Sequence, residues 1–381
     1  MPSIQYGDKK KGFCKLENNL GVPLAPAAGD AFKARAIELG PDNVNREAAN
    51  DEGLRGTKGR IQTSRRGRWR TQVLWRSSGS LGVIPDIDPF LVLAFGKKTV
   101  NVGVDVVYSQ LDDREGNHAS IWNKLSDIVE FVRGAICQTL TIEWTGNGLI
   151  LLDFAGIAVD YGKTGETTAS GAGAGITTLT VADLDFLAEH SLIQVGSDDN
   201  SGAGFFLTGL DHALEQGTLS ANGTWADTDV VKPFMPTPIY TDVKPIYGAK
   251  VSTSLDGGAT IQKALGGRIT INTGLDLLDE TEGSEVPTDV IVSGGWSVVG
   301  ETRLLLRKED VHLYSHAARQ IVKDLRISLG SKDTEILQID MNQVEFDPVP
   351  ADIADNGPAR ITLPWEAKQS AGEDQITATQ K

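Results

Sequence analysis

Glycine is the feature of this sequence that most constrains the fold, since 42 of the 381 residues are glycine and only 15 are proline. Abundant glycine is typical of tight turns between strands and disfavours long helices. The length is enough for roughly two or three domains, each with its own buried core. We therefore predict a mainly β fold with a minor α component.

Membrane segments, signal peptides and paired cysteines together indicate where a protein folds. No apolar run reaches the ~20 residues that a membrane helix needs, and no apolar core of the signal-peptide kind follows the N-terminal lysines. The two cysteines, Cys14 and Cys137, lie far apart and provide neither a disulfide framework nor a zinc site. We expect a protein that folds in a cytoplasm without membrane insertion, with Cys137 buried and inert.

Three segments have apolar residues at helical spacing. In Asp88–Phe95, the aspartate is a candidate cap, a proline follows in the first turn, and Gly96 ends the pattern. The other two are Ser120–Val132 and Lys308–Val322. We predict a helix at each of them, and a further short helix near Asp30–Leu39.

Alternating apolar and polar residues indicate strands. Val100–Val106 alternates throughout and predicts one half-buried strand. Gln138–Gly156 predicts two strands around a turn at Thr145–Gly148, with the apolar side chains of the first strand on one face. Asp324–Val344 has a similar strand–turn–strand pattern.

The order of these elements predicts four segments. They are an extended N-terminal arm (1–52), a first module (53–163), a small inserted β domain with flexible linkers (164–235) and a second module (236–381). In each module a charged segment leads into a Gly-x-Trp motif, Gly67-Arg68-Trp69 or Gly294-Gly295-Trp296, and the module ends in a strand–turn–strand. A duplicated β unit with one packed helix accounts for this plan. Chance similarity between β-rich segments is the alternative.

Charge is distributed unevenly along the chain, whose net charge is −15. Eight basic and no acidic residues lie between Arg55 and Arg76, and six acidic and no basic residues lie between Asp276 and Asp289. The basic segment has three interpretations. It contacts the acidic segment of a neighbouring copy, it is a solvated face, or it is a nucleic-acid patch. On the first, the candidate assembly interface comprises Arg60, Arg65, Arg66, Arg68, Arg70, Asp276, Asp279, Glu280, Glu282 and Glu285.

Catalytic and ligand-binding motifs are scarce. His312 and His316 are four residues apart on a predicted helix, but the sequence offers no obvious third ligand. The glycines of 171–175 lack the strand before and the helix after that a phosphate loop needs. Asp198–Gly202 lacks the spacing and closing glutamate of a calcium loop. We predict no enzyme activity, no catalytic residue, no cofactor and no metal.

Several segments together resemble one protein family. The segments GTKGRIQTSRRGRWRTQVLW and IPDIDPFLVLAFG lie in the first half, and GRITINTGLDLL, GGWSVVGETRLLLR and LPWEAKQSAGEDQIT lie in the second. They are similar to the major tail tube proteins of long-tailed, siphovirus-type bacteriophages, here of a duplicated-module type. The resemblance covers most of the chain and leaves the 164–235 insert outside it.

The resemblance implies a structural role in the virion. Each module would be a β-sandwich or barrel with a flanking helix, and its long hairpin would join a continuous barrel. Three duplicated subunits would close a ring with pseudo-sixfold symmetry. Rings assembled in the host bacterial cytoplasm would stack around a tape-measure protein, between tail terminator and tail-tip proteins. Double-stranded DNA would pass through an acidic channel during ejection without specific binding. The alternative is a β-rich tail adaptor or receptor-binding component with the insert as an adhesive domain.

Overall fold

The computed structural model of the chain describes residues 10–42, 44–47, 60–110, 116–255, 259–261, 264–279, 284, 286–305, 315, 317–332, 334–347, 360–369 and 374–381. With 57% strand and 7% helix it is mainly β, so the predicted fold class is confirmed. Every strand pairs antiparallel to its neighbours, which is the arrangement that short turns between consecutive strands favour.

The first module is built from two sheets that share one long strand. Its strands are β1 (Lys10–Leu16), β2 (Ala31–Phe32), β3 (Ala34–Pro41), β4 (Val44–Glu47), β5 (Arg60–Ser64), β6 (Gly67–Leu74), β7 (Gly96–Asn101), β8 (Asp105–Gln110), β9 (Ala119–Leu125), β10 (Ile128–Thr145), β11 (Leu151–Ala158) and β12 (Asp160–Thr164). One sheet has the order β2–β1–β9–β10–β12, and the other has the order β3–β6–β11–β10. The 18-residue β10 crosses from the first sheet into the second at a bulge between Val132 and Ala135, where Gly134 has a φ of 60°.

Helix α1 (Asp88–Phe95) fills the space between these sheets, as its sequence predicts. It is apolar on all sides and lies wholly within the main core. The predicted cap is wrong, because the Asp88 side chain makes no capping hydrogen bond. It instead accepts hydrogen bonds from the Tyr108 hydroxyl at 2.8 Å and from Lys98 Nζ at 2.6 Å, so it ties the helix to the β7–β8 hairpin.

The insert forms a separate six-stranded sheet. Its strands are β13 (Thr167–Thr168), β14 (Gly173–Thr180), β15 (Leu192–Val195), β16 (Phe205–Asp211), β17 (Gln216–Trp225) and β18 (Val230–Pro233), in the order β13–β18–β15–β16–β17–β14. It has its own apolar cluster around Phe205 and Leu207. The flexible linker expected over 164–178 is wrong, because this segment contains β13 and most of β14. Small residues and threonine here form a ladder with β17.

The second module repeats the sheet order of the first. Its strands are β19 (Val251–Leu255), β20 (Ala259–Ile261), β21 (Ala264–Asn272), β22 (Leu275–Leu278), β23 (Asp289–Val292), β24 (Ser297–Leu305), β25 (Lys323–Leu329), β26 (Leu337–Phe346), β27 (Arg360–Ala367) and β28 (Thr377–Gln380). The orders β20–β19–β25–β26–β28 and β21–β24–β27–β26 match those of the first module strand for strand.

The repeat extends to individual residues. A register shift follows the first residue of β3, between Ala34 and Ala36, and the same shift follows the first residue of β21, between Ala264 and Gly266. The bulge at Val132–Ala135 recurs on β26, where Met341 and Val344 pair with Leu325 and Lys323. Such coincidences of register favour duplication over chance similarity.

The equivalent strands carry an exchanged tryptophan–glycine pair. In the first module Trp69 on β6 lies opposite Gly156 on β11, whereas in the second Gly300 on β24 lies opposite Trp365 on β27. Thr71 and Thr302, two residues further along, are both buried and fix this equivalence. The repeat of Gly-x-Trp proposed from the sequence is therefore wrong, because Trp296 precedes β24 and the position of Trp69 belongs to Gly300.

The two modules are joined edge to edge. Residues Thr139–Thr145 of β10 pair with Gly266–Asn272 of β21, so the ladders merge into one eight-stranded sheet, β3–β6–β11–β10–β21–β24–β27–β26. A second joint pairs β28 with β8. Apart from the β4–β5 and β22–β23 hairpins, the paired strands of the two modules form one network, but following the described pairings never leads back to the starting strand. The eight-stranded sheet is thus an open half-barrel.

Two predicted helices are wrong. The expected helix at Ser120–Val132 is the β9–β10 hairpin, turning at Ser126 with a φ of 55°. Ile121 faces the main core and Trp122 faces a second cluster, so apolar residues occur on both faces and imitate helical spacing. The helix near Asp30–Leu39 is likewise absent, since only Ala28–Asp30 forms a 3-10 turn before β2 and β3.

Two further predictions are wrong, and a third falls mostly outside the described residues. The expected extended arm over 1–52 instead supplies β1 to β3, because Phe13, Phe32 and Ile37 are buried. The single strand at Val100–Val106 is the β7–β8 hairpin, with its turn after Asn101. Most of the predicted helix Lys308–Val322 lies outside the described residues.

Candidate assembly interface

One edge of the half-barrel is a strand whose counterpart in the second module is paired. Within the described residues, β3 pairs with β6 on one side and has no strand on the other. The equivalent strand β21 has β10 at that edge, held by seven register pairs. An unpaired strand edge is a template for another strand, so β3 is a candidate docking edge.

Each module also carries a hairpin between its first two half-barrel strands. The hairpin of the second module, β22–β23, lies against the first module, where Leu275 and Leu277 bury Ile136, Ile157 and Val159. We call these three residues the apolar seat. The corresponding hairpin of the first module, β4–β5, holds part of the basic segment. Arg60 lies on its β5 strand.

Arg65 is engaged within its own module. Its guanidinium lies 2.9 Å from Asp160 Oδ2, and Arg133 approaches the same carboxylate at 3.2 Å. Arg133 also donates to the Gly21 carbonyl at 2.7 Å. Arg65 therefore closes a local cluster at the start of β12, and this is a structural role that the assembly interpretation did not assign to it.

The basic and acidic segments do meet, but within one chain. Arg66 lies 3.4 Å from Asp279 and 3.4 Å from Asp42, so it links the base of the β4–β5 hairpin to the far end of β22. Asp276 accepts a hydrogen bond from the Leu277 backbone at 2.9 Å. Glu280, Glu282 and Glu285 lie outside the described residues. The contact expected between copies is thus made inside the subunit at Arg66.

Arg70 lies on the open face of the half-barrel and is held by a carboxylate. Its Nε donates to Asp153 Oδ1 at 2.9 Å, its Nη2 lies 2.5 Å from Oδ2, and Gln72 donates to Oδ2 at 2.8 Å. Partial burial alone would raise the pKa of Asp153, but these hydrogen bonds and the charges of Arg70 and Arg268 lower it below its usual value. The hydrogen bond to Asp153 correspondingly raises the pKa of Arg70.

The rest of this face shows the same alternation of charge. Arg268 lies between Glu143 and Glu301 in register, and Arg303 donates to Glu301 at 2.6 Å. Arg68 is exposed on the same face of β6, with Gly40 and Ile157 as its register partners. These carboxylates were missed from the sequence, although alternation along β10, β21 and β24 would have placed them on one face.

More than half of the acidic excess of the chain lies in the insert. Residues 165–232 contain ten acidic residues and a single lysine, Lys232. The net charge of −15 is therefore a poor guide to the half-barrel, whose open face carries alternating charges.

The described residues offer little for catalysis or metal binding. They contain no group of three or more His, Cys, Asp or Glu arranged to hold a metal ion. Cys14 and Cys137 are buried free thiols, and burial raises the pKa of Cys137 to about 12, which keeps it protonated and unreactive. His312 and His316 lie outside the described residues. Across those same residues, no helix has the length and apolar character that spanning a membrane requires.

Comparison with known proteins adds no family assignment. No protein-family model matches the chain, and no curated protein matches it significantly.

Proposed function

We propose that this chain is a structural subunit of a bacteriophage tail tube, which assembles into three-membered rings that stack around a channel. The observation that carries the proposal is the open half-barrel made of two equivalent four-stranded ladders. The joint between β10 and β21 inside the chain is a template for the joint between the free β3 edge and the next copy. The family resemblance of the sequence supports the same role.

The number of strands favours a ring of several copies over closure within one chain. A closed barrel of eight strands is only wide enough for its own side chains to fill. Three copies of eight strands give 24, and with strands ~4.8 Å apart and tilted by ~40° the backbone diameter is about 48 Å. Such a barrel leaves an open channel after its side chains are accounted for, and duplex DNA is the proposed cargo.

The open face suits a passage that must not retain DNA. Phosphate binding depends on arginine and lysine side chains that are free to neutralise the backbone. Arg70, Arg268 and Arg303 each have a carboxylate as hydrogen-bond or register partner. In this proposal these three arginines are masked by their neighbours, and no uniformly acidic lining is required.

Electron microscopy of the purified full-length chain at increasing concentration tests the proposal. Negatively stained samples should contain rings of three copies, and stacked rings at the highest concentrations, with a central channel. Sedimentation velocity should show a trimer or larger species in exchange with the monomer. A chain that remains monomeric at every concentration and forms no annular particles contradicts the proposal.

A further inference from the structure

The second module carries a counterpart of the apolar seat. Counting along the equivalent strands, Glu345 takes the place of Ile136, and Glu366 takes the place of Ile157. Lys368 takes the place of Val159, since the Lys368 amide donates to Gln343 as the Val159 amide donates to Gly134. We call Glu345, Glu366 and Lys368 the charged seat.

The charged seat is electrostatically unfavourable in the subunit alone. Glu345 and Glu366 are direct register partners on β26 and β27, and like charges in that position destabilise a sheet. Lys368 makes an ion pair with Glu366, and both side chains remain more than 40% exposed. The hydrogen bond to Glu366 raises the pKa of Lys368, and the charges of Glu345 and Asp347 act in the same direction. The two glutamates therefore leave an excess of negative charge that a cation would relieve.

The hairpin of the first module differs from that of the second in a complementary way. Counted from the equivalent residues Pro41 and Ile271, the register pair Glu47–Arg60 matches the pair Leu277–Val290. Asn45 likewise matches Leu275. Leu275, Leu277 and Val290 are the residues that pack on the apolar seat. Where the seat is apolar the hairpin is apolar, and where the seat carries charges of both signs the hairpin also carries both, in Glu47 and Arg60.

We propose that the charged seat receives the β4–β5 hairpin of a second copy of this chain, with Arg60 at the position that Val290 takes above the apolar seat. The inference rests on the ring assembly proposed above. The contact inside the chain supplies the geometry, and charge complementarity identifies the partner. Each ring then has two kinds of joint in alternation. One is apolar and lies within a subunit, and the other is ionic and lies between subunits.

Charge reversal in the full-length chain tests this joint. E345K/E366K and R60E should each raise the concentration needed for ring formation about tenfold or more, because close interfacial charge pairs contribute more than about 1.4 kcal/mol. The combination of all three changes should restore assembly toward that of the wild type. Arg46→Glu is the matched control, since Arg46 takes the register position of Asp276 on the other face of the hairpin, and it should leave assembly unchanged.

A milder variant separates folding from assembly. E345Q/E366Q removes the like-charge pair, so urea unfolding of the isolated subunit should show equal or greater stability while assembly weakens. If wild-type chains form no rings, the proposed function fails before this joint is tested. If wild-type rings form and E345K/E366K or R60E assembles at the same concentration, or if the three changes together do not restore assembly, the seat inference is overturned.

Discussion

The exchanged tryptophan–glycine pair permits a sharp test of the duplication. In the second module a Cβ on Gly300 would lie 2.2 to 2.6 Å from ring atoms of Trp365, so the two positions share one space. The variant Gly300→Trp alone should overpack the core and cost about 3 kcal/mol or more. Trp365→Gly alone removes a buried indole from a strand and should cost about 4 to 6 kcal/mol.

The double variant Gly300→Trp/Trp365→Gly recreates the arrangement of the first module, with tryptophan on the second strand and glycine on the fourth. The first-module indole of Trp69 donates to the carbonyls of Ile136 and Ile157 at 3.1 and 3.2 Å. The equivalent carbonyls in the second module belong to Glu345 and Glu366. We expect the double variant to be within about 4 kcal/mol of the wild type, a favourable coupling of about 3 kcal/mol.

Urea unfolding followed by circular dichroism measures the four corners of this cycle, and the number of tryptophans is the same in the wild type and the double variant. Gly295→Trp is the matched control, because nothing lies within 4 Å of a Cβ at that position, and it should change the unfolding free energy by less than about 1 kcal/mol. Additive losses, which would come to about 7 kcal/mol or more, would refute the equivalence of the two positions.

Three further predictions concern the open face, the arginine cluster and the insert. Because the folded-state pKa of Asp153 is lowered below its usual value of 3.8, the stability that Asp153 contributes is present at neutral pH and is lost as the pH falls through the folded-state pKa. The unfolding free energy of Asp153→Asn should therefore depend less on pH than that of the wild type in this acid range. Identical pH profiles would contradict the role of Asp153. Arg65→Glu should destabilise the folded subunit, because it removes the ion pair with Asp160 beside Arg133, whereas Arg68→Glu should not. Equal melting temperatures for the two variants would count against the Arg65 cluster. Replacing residues 166–234 with a short glycine–serine linker should leave ring formation intact, since the insert has its own core; loss of rings with the two modules still folded would assign the insert to assembly.

The sequence predicted those elements whose signals are local. Helix α1 has proline near its start and glycine at its end, and the β10–β11 hairpin has a glycine-rich turn, so a short segment determines each. Ser120–Val132 was misassigned because both faces of β9 are buried, and only tertiary packing distinguishes that case from a helix. The repeat was detected from its plan, but its register was not, since the tryptophan changes strand between the modules.

The candidate interface was predictable only in part. The unusual concentration of charge pointed to assembly, and Arg66 does contact Asp279. Sequence alone could not show that this contact lies within one chain. The distance between two segments along the sequence does not tell whether they meet within one copy or between two copies. Glu345 and Glu366 gave no signal by themselves. Their significance depends on cross-strand pairing and on a comparison with Ile136 and Ile157.

The length of β10 has a mechanical consequence. One continuous backbone belongs to the half-barrel at one end and to the sheet β2–β1–β9–β10–β12, here called the outer sheet, at the other, with bulges at Val132–Ala135 and Cys137–Thr139 between them. The two layers therefore cannot slide past each other without breaking ladders on both sides of the same strand. Tension along the half-barrel is passed through covalent bonds into the outer sheet, where antiparallel hydrogen bonds resist it in shear, many at a time.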